Sequence, residues 1–120
     1  MLRVLGYIAK QATMNTEAYK AKADIIKALA HPSRLAMVEA LAGGEMCVCH
    51  LQELVGSDMS TVSKHLSLLK HAGIVRDRKE GLWVHYSLRT PCVLDFLGCI
   101  EAMVEQDAAA ASARGARHSA

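Results

Sequence analysis

The chain has 120 residues, 52% hydrophobic but only 4% aromatic, and a net charge of +2. Those figures fit one domain with one modest, aliphatic core, and the net charge alone says nothing about polyanions. No apolar run approaches membrane-spanning length and no convincing signal peptide opens the chain, so a cytoplasmic protein without a membrane partner is expected.

The charge is unevenly placed. From Ser57 to Arg89 six basic residues (Lys64, Lys70, Arg76, Arg78, Lys79, Arg89) face three acidic ones (Asp58, Asp77, Glu80), so that segment is +3 and the remainder −1. Four cysteines in a cytoplasmic chain point to metal binding or redox chemistry rather than structural disulfides.

Residues 1–14 form an N-terminal extension or arm, with Leu2, Leu5, Ile8 and Ala9 at roughly helical spacing. Met14 offers a second start site, and the sequence does not choose between a dimer-packing arm and an accident of start-codon choice. Residues 15–108 carry the domain. Asn15 to Ala30 reads as a helix capped at Thr16, with Ala18, Ala21, Ile25, Ile26, Leu29 and Ala30 as its buried stripe. His31-Pro32 ends it. Ser33 to Ala42 is the next helix, facing inward through Leu35, Val38, Leu41 and Ala42, and Gly43-Gly44 stops it.

Glu45 to Val55 begins with MCVCHL and runs into a short helix ending at Gly56. In a continuous helix Cys47 and Cys49 point about 200° apart. At a helix start, where the first residue is still extended, they can converge, a geometry that Gly43-Gly44 just upstream allows, and a helix N-terminus favours the thiolate. Soft thiolates select soft or borderline ions. Two thiolates leave a site incomplete, so a further ligand has to come from Cys92, Cys99, His50, another subunit or an exogenous thiol.

The helix from Asp58 to His71 has its apolar stripe at Met59, Val62, Leu66 and Leu69, Asp58 as N-cap and Gly73 as stop. Its other face carries Ser60, Thr61, Ser63, Lys64, His65 and Ser67, short donors and acceptors suited to a DNA groove. Two short helices joined by a tight turn make a helix-turn-helix. The period then alternates: a strand at Ile74–Arg78, a hairpin tip at Lys79-Glu80-Gly81, and a returning strand at Leu82–Leu88. A charged ribbon after such a helix is a wing. Pro91 opens a last helix, Cys92 to about Ala108, whose apolar face (Val93, Phe96, Leu97, Ile100, Met103, Val104) is wide enough to call for a partner subunit. Residues 109–120, rich in Ala, Ser and Arg, are expected to form a flexible tail. The fold class is mainly α with a small β-hairpin: a dimeric winged helix-turn-helix.

Several segments together resemble the ArsR/SmtB family of winged-helix metalloregulatory repressors, from about Tyr19 to Phe96. ALAHPSRLAMVEAL is similar to the family's second and third helices, GEMCVCHL to its metal box (E-L-C-V-C-D-L), STVSKHLSLLKHAGIV to its recognition helix and DRKEGLWVHYSL to its wing. His50 replaces the usual Asp of the box, and Met59 stands where many members have Gln. The third Cys that some arsenic sensors add is absent from Leu51, Gln52 and Glu53, and Asp95-Phe96-Leu97 lacks the His of the family's alternative zinc site.

The resemblance implies a non-enzymatic repressor, closest to the arsenic-responsive branch. A homodimer would bind an inverted-repeat, double-stranded operator. Ser60, Thr61, Ser63, Lys64 and His65 would contact bases or phosphates, with Arg76, Arg78 and Lys79 on the backbone. Cys47 and Cys49 would take As(III) or Sb(III) as inducer, or Cd(II), Pb(II) or Zn(II). Two other readings stay open: the same scaffold used as a thiol-redox or persulfide sensor, and a small thiol enzyme or metal carrier.

Overall fold

The computed structural model of the chain describes residues 14–119, so the arm expected over 1–14 lies outside the described residues but for Met14. Helix α1 (Thr16–Leu29) is capped by Asn15, not Thr16: the Asn15 side-chain oxygen accepts from the Ala18 N–H at 3.2 Å. Asparagine outranks threonine at this position because its longer side chain reaches the free amides of the first turn with less strain. Helix α2 (Pro32–Ala40) has Pro32 at its first position and His31 as cap, with His31 Nδ1 accepting from the Ser33 N–H at 3.0 Å. A 3-10 turn, Leu41–Gly43, replaces the expected last α-turn and ends at Gly44, whose φ is +124°.

A two-residue strand follows, β1 (Met46–Cys47), and then α3 (Val48–Val55). Gly56 closes α3 in the left-handed region, φ +73°, its N–H returning to the Gln52 carbonyl at 2.9 Å. Helix α4 (Met59–His71) starts at Asp58, which accepts from the Thr61 N–H at 3.1 Å. Strands β2 (Val75–Glu80) and β3 (Trp83–Leu88) pair antiparallel from Val75↔Leu88 to Glu80↔Trp83. The wing turn is therefore Gly81-Leu82: Lys79 and Glu80 of the expected tip belong to β2, and Leu82 of the expected returning strand belongs to the turn. Gly81 has φ +61°, the geometry that a tight hairpin turn asks of its first central residue. The sheet has the order β1-β3-β2. Strand β1 is too short to show any period in the sequence, and only the edge of β3 draws it out.

The fully buried side chains are Met37 and Val38 from α2, Leu51 from α3, Val62, Leu66 and Leu69 from α4, and Val75 from β2. Helix α4 is thus the central element, buried along an i, i+4, i+7 stripe. Met59, expected in that stripe, sits in the first turn beyond the core and stays exposed.

The outer helices differ from expectation. Of the stripe expected on α1 only Leu29 is buried, while Ile25 and Ile26 stand 45% and 51% exposed. The last helix, α5, spans Val93–Ser119, past the expected end near Ala108, because the alanine-rich stretch has high helix propensity and contains no proline. It buries Val93 and Leu97 and leaves Phe96, Ile100, Met103 and Val104 in solvent. The radius of gyration is 19.0 Å, against about 13–14 Å for a compact domain of this length.

The core assignment predicts a contrast within one helix. Leu66→Ala should lower the free energy of urea unfolding by about 3 kcal/mol. Leu68→Ala, at a half-exposed position of the same helix, should change it by less than about 0.5 kcal/mol. Both are measured at one fixed protein concentration, and equal losses would contradict the placement of α4.

Candidate nucleic-acid interface and thiol pair

Helix α4 turns Ser60, Ser63, Lys64, Ser67 and Leu68 outward, opposite Val62, Leu66 and Leu69. Two of the expected DNA contacts also serve the helix cap. The Ser60 hydroxyl donates to Asp58 Oδ2 at 2.9 Å, and the Thr61 N–H donates to Oδ1. Hydrogen bonds from the Thr61 side chain, then from Ser60 and the Thr61 backbone, hold the Asp58 carboxyl below the usual carboxylate range. Ser63, Lys64 and Ser67 line a shallow depression with Leu68 and His71. Ser67 stood on the polar face in the sequence without being assigned a contact; its exposure beside Lys64 is the signal for including it.

His65 is placed differently. It lies three residues past Val62, roughly 60° from the buried stripe, and is half-buried. Its Nδ1 is 2.9 Å from Arg34 Nη1 of α2, and its ring lies 4.3 Å, centroid to centroid, from His31. Burial first, then His31 and Arg34, push its pKa below the ordinary histidine value. The ring expected to read DNA is engaged inside the domain.

On the wing, the Arg78 guanidinium is held between two carboxylates. Its Nη2 and Nε meet Glu45 at 2.6 and 3.2 Å, and Nη1 meets Glu80 at 3.0 Å. The Arg78 hydrogen bonds are the main reason the Glu45 carboxyl is held below its ordinary value. His85 stands near both acids, Nδ1 4.0 Å from Glu45 and Nε2 3.8 Å from Glu80. Lys70 pairs with Asp77 at 3.0 Å. Among the described residues Lys64, Arg76 and Lys79 make no ion pair, so these three present free charge. Arg78 spends three of its five N–H donors on these carboxylates and stays half exposed.

The cysteine pair sits where strand becomes helix. Cys47 is extended (φ −66°, ψ 144°) and caps α3, its sulfur accepting from the Cys49 N–H at 3.4 Å. The two sulfurs converge to 2.7 Å. The thiolate expected at a helix start does not hold for Cys49. Its hydrogen bond to Cys47 raises its pKa most, followed by burial and repulsion from Cys47, and the backbone amides that pull it down are weaker. Cys49 therefore holds its own proton, directed at the Cys47 sulfur, more tightly than an ordinary thiol.

Strand register ties this pair to the wing. Cys47 pairs with His85, and His85 pairs with Arg78, so the three side chains form one row across the sheet. Glu45, one residue before β1, reaches the same Arg78. Among the described residues no third His, Cys, Asp or Glu joins Cys47 and Cys49 in a group that can hold a metal ion. His50, Cys92 and Cys99 are exposed, and Cys92 lines a groove of about 400 Å³ between α1 and α5 with Ile25, Ile26 and Phe96. No described helix is long and apolar enough to cross a membrane.

The sequence pattern of the family described as "Bacterial regulatory protein, arsR family" matches residues 31–77. An uncharacterized HTH-type transcriptional regulator of Methanocaldococcus jannaschii is 45% identical over 58% of this chain and 80% of its own length. The arsenical resistance operon repressor of Escherichia coli K12 is 43% identical over 53% of this chain and 56% of the repressor. A cadmium resistance regulatory protein, a CadC homolog of Staphylococcus aureus, is 40% identical over 68% of this chain and 63% of that protein. The chain thus spans little more than half of the arsenical repressor and under two thirds of the cadmium protein. Among solved structures, the homodimeric winged helix-turn-helix DNA-binding domain of a Mycobacterium bovis protein superposes with a TM-score of 0.68 at 26% identity, over 79% of this chain and 88% of that one.

The contact between the two sulfurs can be tested directly. In a Cys92→Ser/Cys99→Ser background, further replacing Cys47 with Ser should lower the pH at which Cys49 ionises, read by ultraviolet thiolate absorbance. An unchanged Cys49 titration would mean that the sulfurs do not meet in solution.

Proposed function

The chain belongs to the arsR family of bacterial regulatory proteins, and on that premise we propose that it is a homodimeric transcriptional repressor released from an inverted-repeat operator by a thiophilic metal(loid), arsenite or antimonite first. The observation that carries the reading is the convergence of Cys47 and Cys49 at the β1–α3 junction, in ladder contact with the wing. The arsenical repressor among its relatives supports the choice of ion.

Dimerisation buries what one protomer leaves open: Ile25 and Ile26 of α1 with Phe96, Ile100, Met103 and Val104 of α5. A homodimeric neighbour of the same fold supports it. Two copies of α4 then enter successive major grooves. Ser63 and Lys64, with Ser60 and Thr61 at the capped end, face the bases and nearby phosphates. Lys64, Arg76 and Lys79 supply the salt-dependent part of the affinity.

Arsenious acid reacts with two thiols by exchange: two As–O bonds become As–S bonds, and each leaving hydroxide takes a thiol proton as water. The third arsenic position keeps its hydroxide or takes an exogenous thiol. Two sulfurs on one ion need more room than they have here; for a tetrahedral zinc with bonds of about 2.3 Å they stand roughly 3.8 Å apart. Loading therefore spreads the pair, shifts β1 against β3, and changes how Glu45 and His85 hold Arg78. Because the two ligands act on one equilibrium, operator DNA must weaken inducer binding by the same factor.

The cadmium protein among the relatives favours a second ion class, Cd(II), with Pb(II) and Zn(II), at the same two thiols. Fluorescence anisotropy of a labelled duplex, selected by the wild-type chain from a random-sequence pool, separates these readings. Arsenite should release the wild type and leave Cys47→Ser/Cys49→Ser bound; equal release of both would refute the site. Release by cadmium alone assigns the second class.

The wing coupling has its own test. Glu45→Gln frees Arg78 for phosphate, so the slope of log affinity against log salt should steepen by roughly 0.9 per protomer. Arsenite should also release this variant less completely. An unchanged slope would mean that Arg78 stays off the DNA.

A further inference from the structure

Arg34 lies at the meeting point of three helices. Its Nε donates to the Ala28 carbonyl at 2.7 Å and its Nη2 to the Lys27 carbonyl at 3.5 Å, both in the last turn of α1. They lie at the negative end of the helix dipole, and although the Lys27 carbonyl also accepts the Ala30 N–H at 3.1 Å, a guanidinium is well suited to that end. The remaining arm of the fork, Nη1, meets His65 Nδ1 at 2.9 Å, in the middle of α4. One side chain of α2 thus joins the end of α1, a helix of the proposed dimer face, to the helix proposed to read DNA.

The chemistry of this contact allows one protonation state. Arginine is always a donor, so His65 Nδ1 must accept, and the ring proton belongs on Nε2. His31, its ring tilted 44° against that of His65, is held in the same way: its Nδ1 accepts from the Ser33 N–H. A second proton on His65 would replace the acceptor with a donor aimed at a guanidinium. It would also place a cation beside Arg34 and His31. Asp24, Lys27 and His71 line the groove that holds Arg34, and Lys64 is the neighbour along α4. Among the described residues no carboxylate forms an ion pair with Arg34 or His65.

We propose that Arg34 and His65 are positioning residues of the DNA-reading helix: Arg34, anchored on the last carbonyls of α1, holds α4 through the neutral His65 ring, and a proton on that ring frees the helix and weakens specific DNA binding. The proposal rests on the reading of α4 as the DNA-contacting helix. Its logic is geometric. In a dimer joined through α1, the distance between the two copies of α4 depends on how each is tied to its own α1, and that distance must match the half-site spacing. The low pKa of His65 keeps the latch closed at neutral pH and opens it below the ordinary histidine value of 6.5. The sign is opposite to that of simple charge. An added positive charge near DNA strengthens phosphate binding, whereas opening this latch weakens binding to a spaced site.

The test uses the full chain and a duplex it selects from a random-sequence pool at neutral pH, with sheared genomic DNA as the non-specific competitor. As the pH is lowered from about 7.5 to about 5, affinity for the selected duplex should fall roughly several-fold, the loss setting in below the ordinary histidine value, while binding to sheared DNA holds or rises. His65→Asn keeps an acceptor where Nδ1 stood and cannot titrate, so whatever its affinity at neutral pH it should lose the acid effect. His31→Asn keeps an N-cap acceptor and should retain that effect. Nitrogen-15 spectra of the unmodified protein should show His65 as the Nε2–H tautomer at neutral pH, a reading that needs no variant. A ring protonated at Nδ1, an acid effect that survives His65→Asn, or selected-duplex binding that rises in acid would each overturn the latch and leave the repressor reading intact. A chain that selects no duplex at all would overturn both.

Discussion

Everything in this domain depends on α4 being held along one face and left bare on the other. Val62, Leu66 and Leu69 are fully buried against α2, α3 and β2, and they fix the helix in rotation. With the rotation fixed, Ser63, Lys64 and Ser67 have to face solvent. A shift of one residue in the apolar stripe would swing that surface by about 100°. The packing of three aliphatic side chains therefore decides which polar groups are offered to a groove.

The second organising contact is the two-residue strand β1. It is short, yet it places Cys47 in a row with His85 and Arg78 and brings Glu45 onto Arg78. The thiol pair and the charged ribbon become parts of one sheet. Cys47 is joined to the wing by a hydrogen-bonded ladder. Arg78 is held on two carboxylates within the domain.

Helices α1 and α5 show what one protomer cannot do for itself. Their apolar residues were legible from spacing, and the expectation that α5 needs a partner agrees with its exposed Phe96, Ile100, Met103 and Val104. The expectation that α1 buries its stripe within the domain does not agree. Ile25 and Ile26 belong to the same open surface as α5, and periodicity cannot tell a core shared within one chain from one shared between two copies.

By itself the sequence determined the order of the helices and the hairpin, the capped helix from Asp58 and the winged helix-turn-helix, and it allowed Cys47 and Cys49 to converge. Each of these follows from local physics: apolar period, cap chemistry, glycine stops and an extended residue ahead of a helix. Only the tertiary structure decided the partners of the polar side chains. It turned His65 from the groove toward Arg34 and His31, committed Arg78 to Glu45 and Glu80, raised the Cys49 thiol through its neighbour, and drew β1 onto β3. Arg34 and His65 are 31 residues apart and Glu45 and Arg78 are 33 apart. Contacts that distant along the chain leave no period or motif, because they arise only when packing brings the elements together.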